Sequence, residues 1–170
     1  MQASAGIEDC EDGMSVHPPI GTILDALTFR LARLAAVNHH TGSARFREAF
    51  GLSLNEWRVM GVVNALSPVT FGRIRDVLLM DKGQLSRVVK QLTARGVLRS
   101  TPTPKDARAV ELSLTEVGSE LHDEVLKITA LRNEVVVETL TREECQEFMR
   151  ILQKITAHNE QLSELAGLLK

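Results

Sequence analysis

The chain has 170 residues, 44% hydrophobic and 25% charged, which places it among globular proteins with room for one domain and a short extension. No run approaches the roughly 18 apolar residues of a membrane span, and the first residues, MQASAGIEDCEDG, carry acids where a secretory leader carries basic residues. A cytoplasmic protein without membrane contact is expected. The net charge is only −2 but unevenly spread: Trp57 to Arg108 holds ten basic and three acidic residues, a net +7 that leaves −9 for the rest. A basic middle between acidic ends is the footprint of a phosphate-facing module on an acidic scaffold.

Residues 1–19 are small, acidic and turn-forming, end in Pro18-Pro19, and read as a flexible arm. In TILDALTFRLARLAAVNHH, one stripe holds Ile23, Leu24, Leu27, Leu31, Leu34 and Ala35, an amphipathic helix of about five turns. Gly42-Ser43 interrupts it or follows its end. Ser53 and Glu56 make a capping box that opens a second helix, running through Trp57, Met60 and Val63 towards Ser67-Pro68. A short third helix starts near Thr70 with Phe71, Ile74, Val77 and Leu78.

The stretch DKGQLSRVVKQLTARG then opens on the capping pattern Asp81-x-x-Gln84 and closes on Gly96, as a glycine past a helix end should. Its apolar residues Leu85, Val88, Val89 and Leu92 follow i, i+3, i+4, i+7 spacing. The opposite face carries Gly83, Arg87 and Lys90, flanked by Gln84, Ser86 and Gln91, with no acid after Asp81. A face needed only for solubility would mix both signs. The period next switches to two: Val97, Leu98 and Arg99, a turn region TPTPKDA, then Val110, Leu112 and Leu114 alternating with polar or small residues. That pair reads as a small β-hairpin.

Two long helical segments finish the chain. The first carries Val117, Leu121, Val125, Ile128, Leu131 and Val135; the second opens at the box Thr141-x-x-Glu144 and carries Phe148, Ile151, Leu152, Ile155, Leu162 and Leu165. The chain offers little to bury these stripes against, so pairing with another subunit is expected.

Two helices over about 70–95 with a tight turn, followed by a two-stranded hairpin, form a winged helix-turn-helix. In LNEWRVMGVV, DKGQLSRVVKQLTARGVL and PKDARAVELSLTEVG, the run Leu54 to Gly118 resembles the MarR-type family of bacterial transcription regulators. The resemblance implies a mainly α fold with a small hairpin, in an intertwined homodimer built from the first and last helices. On that pattern, residues 20–53 and 116–170 form the dimerisation region and 54–115 the DNA-binding lobe. The implied function is that of a ligand-responsive repressor binding double-stranded DNA at a pseudo-palindromic operator.

The family's recognition-helix positions fall on Lys82, Gly83, Gln84, Ser86 and Arg87, and its wing motif D-x-R on Asp106 and Arg108. These roles have a physical basis. Arg87 suits a guanine edge and Gln84 an adenine edge in the major groove, while Ser86 and Lys90 suit phosphates. Arg108 suits a narrow minor groove, with Asp106 orienting it. The chain departs from the pattern at Arg75, where a small residue is usual, and at Leu79, where glycine is frequent.

Other residues point less far. Trp57 reads as core; the resemblance also makes it and His40 candidates for an effector pocket between dimerisation helices and DNA-binding lobe, with aromatic or phenolic acids as the ligand class to screen. His39-His40 show no H-x-x-x-H spacing, and His17, His122 and His158 show no ligand spacing either, so no metal and no cofactor are expected. Cys10, in IEDCED, sits among four acids whose field disfavours a thiolate, and Cys145 has no CxxC partner. No phosphate loop, G-x-S-x-G or H-E-x-x-H is present, so no enzyme is expected. The rival is a winged-helix module that docks an acidic protein and has no specific DNA site.

Overall fold

The structure is a computed structural model that describes residues 17–102 and 110–168, with backbone alone at 41, 42, 45 and 164–168. Cys10 and the wing residues Asp106 and Arg108 lie outside the described residues.

In residues 17–42, Thr22 and Asp25 form a capping box around a 3-10 turn, Ile23–Asp25. Thr22 donates its backbone N–H to Asp25 at 2.9 Å. Hydrogen bonds from the Thr22 backbone and hydroxyl hold the Asp25 carboxyl below the usual carboxylate range. Ala26 is extended, and α1, Leu27–Phe50, starts only after it. The expected single stripe from Ile23 is therefore broken: Ile23 and Leu24 belong to the turn. Arg30 ties the two pieces, donating to the Leu24 carbonyl at 3.0 Å. At its other end α1 passes through Gly42-Ser43 without a break and reaches Phe50. A mid-helix glycine costs about 1 kcal/mol, which helix context commonly overrides.

From residue 43 onward the core lies between α2 (Leu54–Leu66), α3 (Phe71–Leu78), α4 (Lys82–Ala94) and a small sheet. Leu52, Val59, Met60, Val63, Ile74, Leu85, Leu92 and Val125 are fully buried. The sheet holds the expected hairpin, β2 (Leu98–Pro102) with β3 (Val110–Leu114), and a third strand as well. β1, Val69–Thr70, follows a cis Ser67–Pro68 peptide and pairs antiparallel with Leu112 and Glu111. Two residues are too few to show a period, so this strand has no sequence signature of its own. In β3 only Leu112 is fully buried; Val110 pairs with Pro102 at the outer end of the hairpin and is exposed.

α5 (Glu116–Val137) and α6 (Arg142–Leu168) follow. The face of α5 that packs inward carries Gly118, His122 and Val125, one position round from most of the expected stripe. Val117, Ile128, Leu131 and Val135 of that stripe are exposed, Leu131 at 64%.

Two positions set strain and contact. Leu79, in the turn between α3 and α4, adopts a left-handed backbone (φ 48°) while its side chain is 92% exposed. A left-handed Leu costs roughly 1 kcal/mol or more, and this one recovers nothing by burial. Gly118 presses its bare Cα against the Val97 backbone, where a Cβ would run into the Val97 carbonyl oxygen. Denaturant midpoints should therefore move in opposite directions. Leu79→Gly is expected to stabilise by about 0.5–1 kcal/mol after the added chain entropy of glycine, and Gly118→Ala to destabilise by about 3 kcal/mol. A neutral Gly118→Ala would contradict the described packing.

Candidate nucleic-acid interface

α4 begins at an Asp81 cap whose carboxylate accepts the Gln84 N–H at 2.8 Å. It ends in a Schellman arrangement, with the Gly96 N–H donating to the Thr93 carbonyl at 3.0 Å and the Val97 N–H to the Leu92 carbonyl at 2.9 Å. Gly96 supplies the positive φ of 70° that this motif requires. Both ends are thus locally encoded.

Between those ends, Leu85, Val88 and Leu92 are buried against the core, each burial contributing about 2 kcal/mol. That seat fixes the helix rotation. Lys82, Gly83, Ser86, Arg87 and Lys90 are then exposed, with Gln84 half-buried beside them. The Arg87 guanidinium donates back to the Gly83 carbonyl at 3.4 Å, which lays it along the outer face of the first turn. Gly83 has no side chain to obstruct that turn. All six helix residues expected at the site come together on one surface.

The basic residues fall into two groups. Arg75 pairs with Asp76 at 2.9 Å and Arg95 with Glu56 at 3.4 Å. Arg75, unusual for the motif, thus points to solvent and leaves the helix crossing unobstructed. Lys82, Arg87 and Lys90 carry no ion pair among the described residues, leaving the outer face of α4 with uncompensated positive charge.

His40 is exposed on α1. Trp57 is half-buried, with its ring 6.2 Å from Phe46 and 5.2 Å from His122. His122 is only 5% exposed and bonds Asp123 at 3.1 Å through Nδ1. Metal-ligand spacing gives His122 no role; its place beside Trp57 depends on a contact between residues 65 positions apart, which local pattern does not carry. Among the described residues no group of three His, Cys, Asp or Glu is arranged to hold a metal ion, and no helix is long and apolar enough to cross a membrane.

Comparisons with known proteins agree with this geometry. Residues 50–109 match the model of the MarR family. An uncharacterized HTH-type transcriptional regulator of Bacillus subtilis, YkoM, is 28% identical over 127 residues, which is 75% of this chain and 81% of the relative. The crystal structure of a MarR/EmrR family transcriptional regulator from Acinetobacter sp. ADP1 superposes with a TM-score of 0.71 at 26% identity, covering 79% of this chain and 94% of that one. A mutant MarR from E. coli, solved complexed with operator DNA, superposes at 0.62 with 21% identity, covering 74% and 93%. With its capped helix α4, its three-stranded sheet and these matches, the chain is similar in sequence and in fold to MarR-family winged helix-turn-helix proteins.

Proposed function

We propose that the chain is a transcriptional regulator that binds double-stranded DNA sequence-specifically as a homodimer. The observation that carries this is the division of α4 into a buried apolar stripe and an exposed face whose cations are uncompensated. In this reading Arg87 and Gln84 contact base edges in the major groove, and Lys82, Ser86 and Lys90 hold phosphates. Gly83 keeps the first turn narrow enough for close approach. Asp106 and Arg108 carry the wing to the adjoining minor groove. The operator complex of the E. coli MarR mutant supports the assignment of the same fold to DNA.

The homodimer is supported by the apolar side chains that α5 and α6 leave uncovered, among them Val117, Leu131, Val135, Met149 and Leu162. Large apolar side chains left exposed along two long helices are the kind of surface that a partner subunit covers. Two-fold symmetry then requires a pseudo-palindrome with half-sites about 10 bp apart. An aromatic or phenolic acid is the proposed effector, held near the Trp57 ring and acting by preferring one spacing of the two lobes. In this account the chain is a repressor and carries out no catalysis.

Selection of bound duplexes from a random-sequence library, followed by anisotropy titration of the winner, tests the proposal. Affinity should fall on the order of 10³-fold between 50 and 200 mM salt. Arg87→Ala should lose about 1–3 kcal/mol at one base position and flatten preference there, whereas Lys90→Ala and Arg108→Ala should weaken all sequences about equally. Failure to enrich any sequence, or binding indifferent to salt, would contradict the regulator and favour a protein-docking module.

A further inference from the structure

The C-terminal end of α4 is held from two sides. On one side, Arg95 reaches the corner between α1 and α2, donating to the Gly51 carbonyl at 3.0 Å and to the Glu56 carboxylate at 3.4 Å. Glu56 is itself fixed: it is only 8% exposed and accepts the Ser53 N–H at 2.7 Å, completing the α2 capping box. On the other side stands Thr115, the N-cap of α5. Its hydroxyl donates to the Gly96 carbonyl at 2.6 Å and its N–H to the Val97 carbonyl at 3.0 Å. The same hydroxyl accepts the Gly118 N–H at 3.0 Å.

Those two supports meet a second time. Phe46 near the end of α1, Trp57 on α2 and His122 on α5 form a column of rings, with centroids 6.2 Å and 5.2 Å apart. Phe50, near the corner, meets Phe46 with ring centroids 5.3 Å apart and planes tilted by 57°. The Trp57–His122 stack and the seat of α4 are therefore fastened to the same pair of elements by separate sets of contacts. A shift of α5 against α2 would alter both together, giving a contiguous route of contacts between the two places.

We propose that Thr115 and Arg95 are positioning residues for DNA binding, fixing the end of α4 and the start of the wing to the Trp57–His122 stack. Neither stands on the basic face of α4. Their effect on the duplex passes through the placement of α4, and duplex binding in turn changes the surroundings of the Trp57 ring. This inference rests on the reading of α4 as the DNA-reading helix.

Trp57 is the only tryptophan in the chain, so its emission reports that site alone. The test titrates the intact protein with the selected, dye-labelled duplex and reads two signals: anisotropy of the dye for binding, and Trp57 emission for coupling. In the wild type, saturation with duplex should change the emission. Thr115→Val and Arg95→Met should bind about tenfold more weakly, within the ordinary range of a coupling free energy, and lose the emission change even at saturation. Thr115→Ser, which keeps the hydroxyl, should restore both signals. Circular dichroism checks that each variant is folded, and Arg95→Met, altered at a half-exposed side chain, carries the test if Thr115→Val does not fold. An unchanged emission in saturated wild type would overturn the coupling, as would variants with weakened binding but a full emission response, since that marks a merely structural role. Absence of any anisotropy change in the wild type would instead overturn the DNA-binding reading, and the coupling with it.

Discussion

The contact on which most of the lobe depends is the one between Gly118 and the Val97 carbonyl. Within a few residues of it α4 finishes in its Schellman motif, β2 begins, and α5 is capped by Thr115. These three events fit together because position 118 has no side chain. With any larger residue there, α5 would lift away, and the hydrogen bonds from Thr115 to the Gly96 and Val97 carbonyls would lengthen with it. Protein interiors pack densely enough that such a displacement is transmitted to its neighbours. The angle at which α4 leaves the lobe is therefore set at its C-terminal end by α5 and, through Arg95 and Glu56, by the start of α2.

What α4 presents follows from what it hides. Three buried residues along a helix of 13 fix its rotation about its own axis, and rotation decides which side chains reach outward. Burial and exposure are thus one constraint viewed from opposite sides: a polar residue at Leu85 or Leu92 would unseat the helix and so change which side chains face outward. Leu79 shows the same economy in reverse. A left-handed Leu with no burial to offset it is retained where glycine would relax the backbone, in the turn that sets α3 against α4.

Much of this was legible in the sequence because it is local. The rotation of α4 follows from the spacing of Leu85, Val88 and Leu92. The boxes at Ser53 and Thr141 form with both of their bonds, and Gly96 stands where a left-handed residue is needed. What escaped the sequence is what depends on distant partners. β1 is a strand only because Leu112 and Glu111 lie beside it. Gly42-Ser43 looks like a helix end and is not one. On α5 the apolar stripe with Val117 and Leu131 is exposed, as its lack of anything in the chain to pack against implied, but the inward contacts at Gly118 and His122 were not marked. A glycine and a histidine carry no hydrophobic signal, yet one sits against a carbonyl and the other against a tryptophan. The partners of Arg95, Gly51 and Glu56, lie about forty positions earlier in the chain. The wing residues Asp106 and Arg108 rest on the family resemblance alone.

The central claim is that the outer face of α4 enters a major groove twice per dimer. Dimethyl sulfate methylates guanine N7, which lies in that groove, so protection of guanines on the selected duplex reads the claim directly. The account predicts two clusters of protected guanines about one helical turn apart, related by the pseudo-two-fold of the site. A duplex that binds with unprotected guanines, or with a single protected cluster, would contradict it.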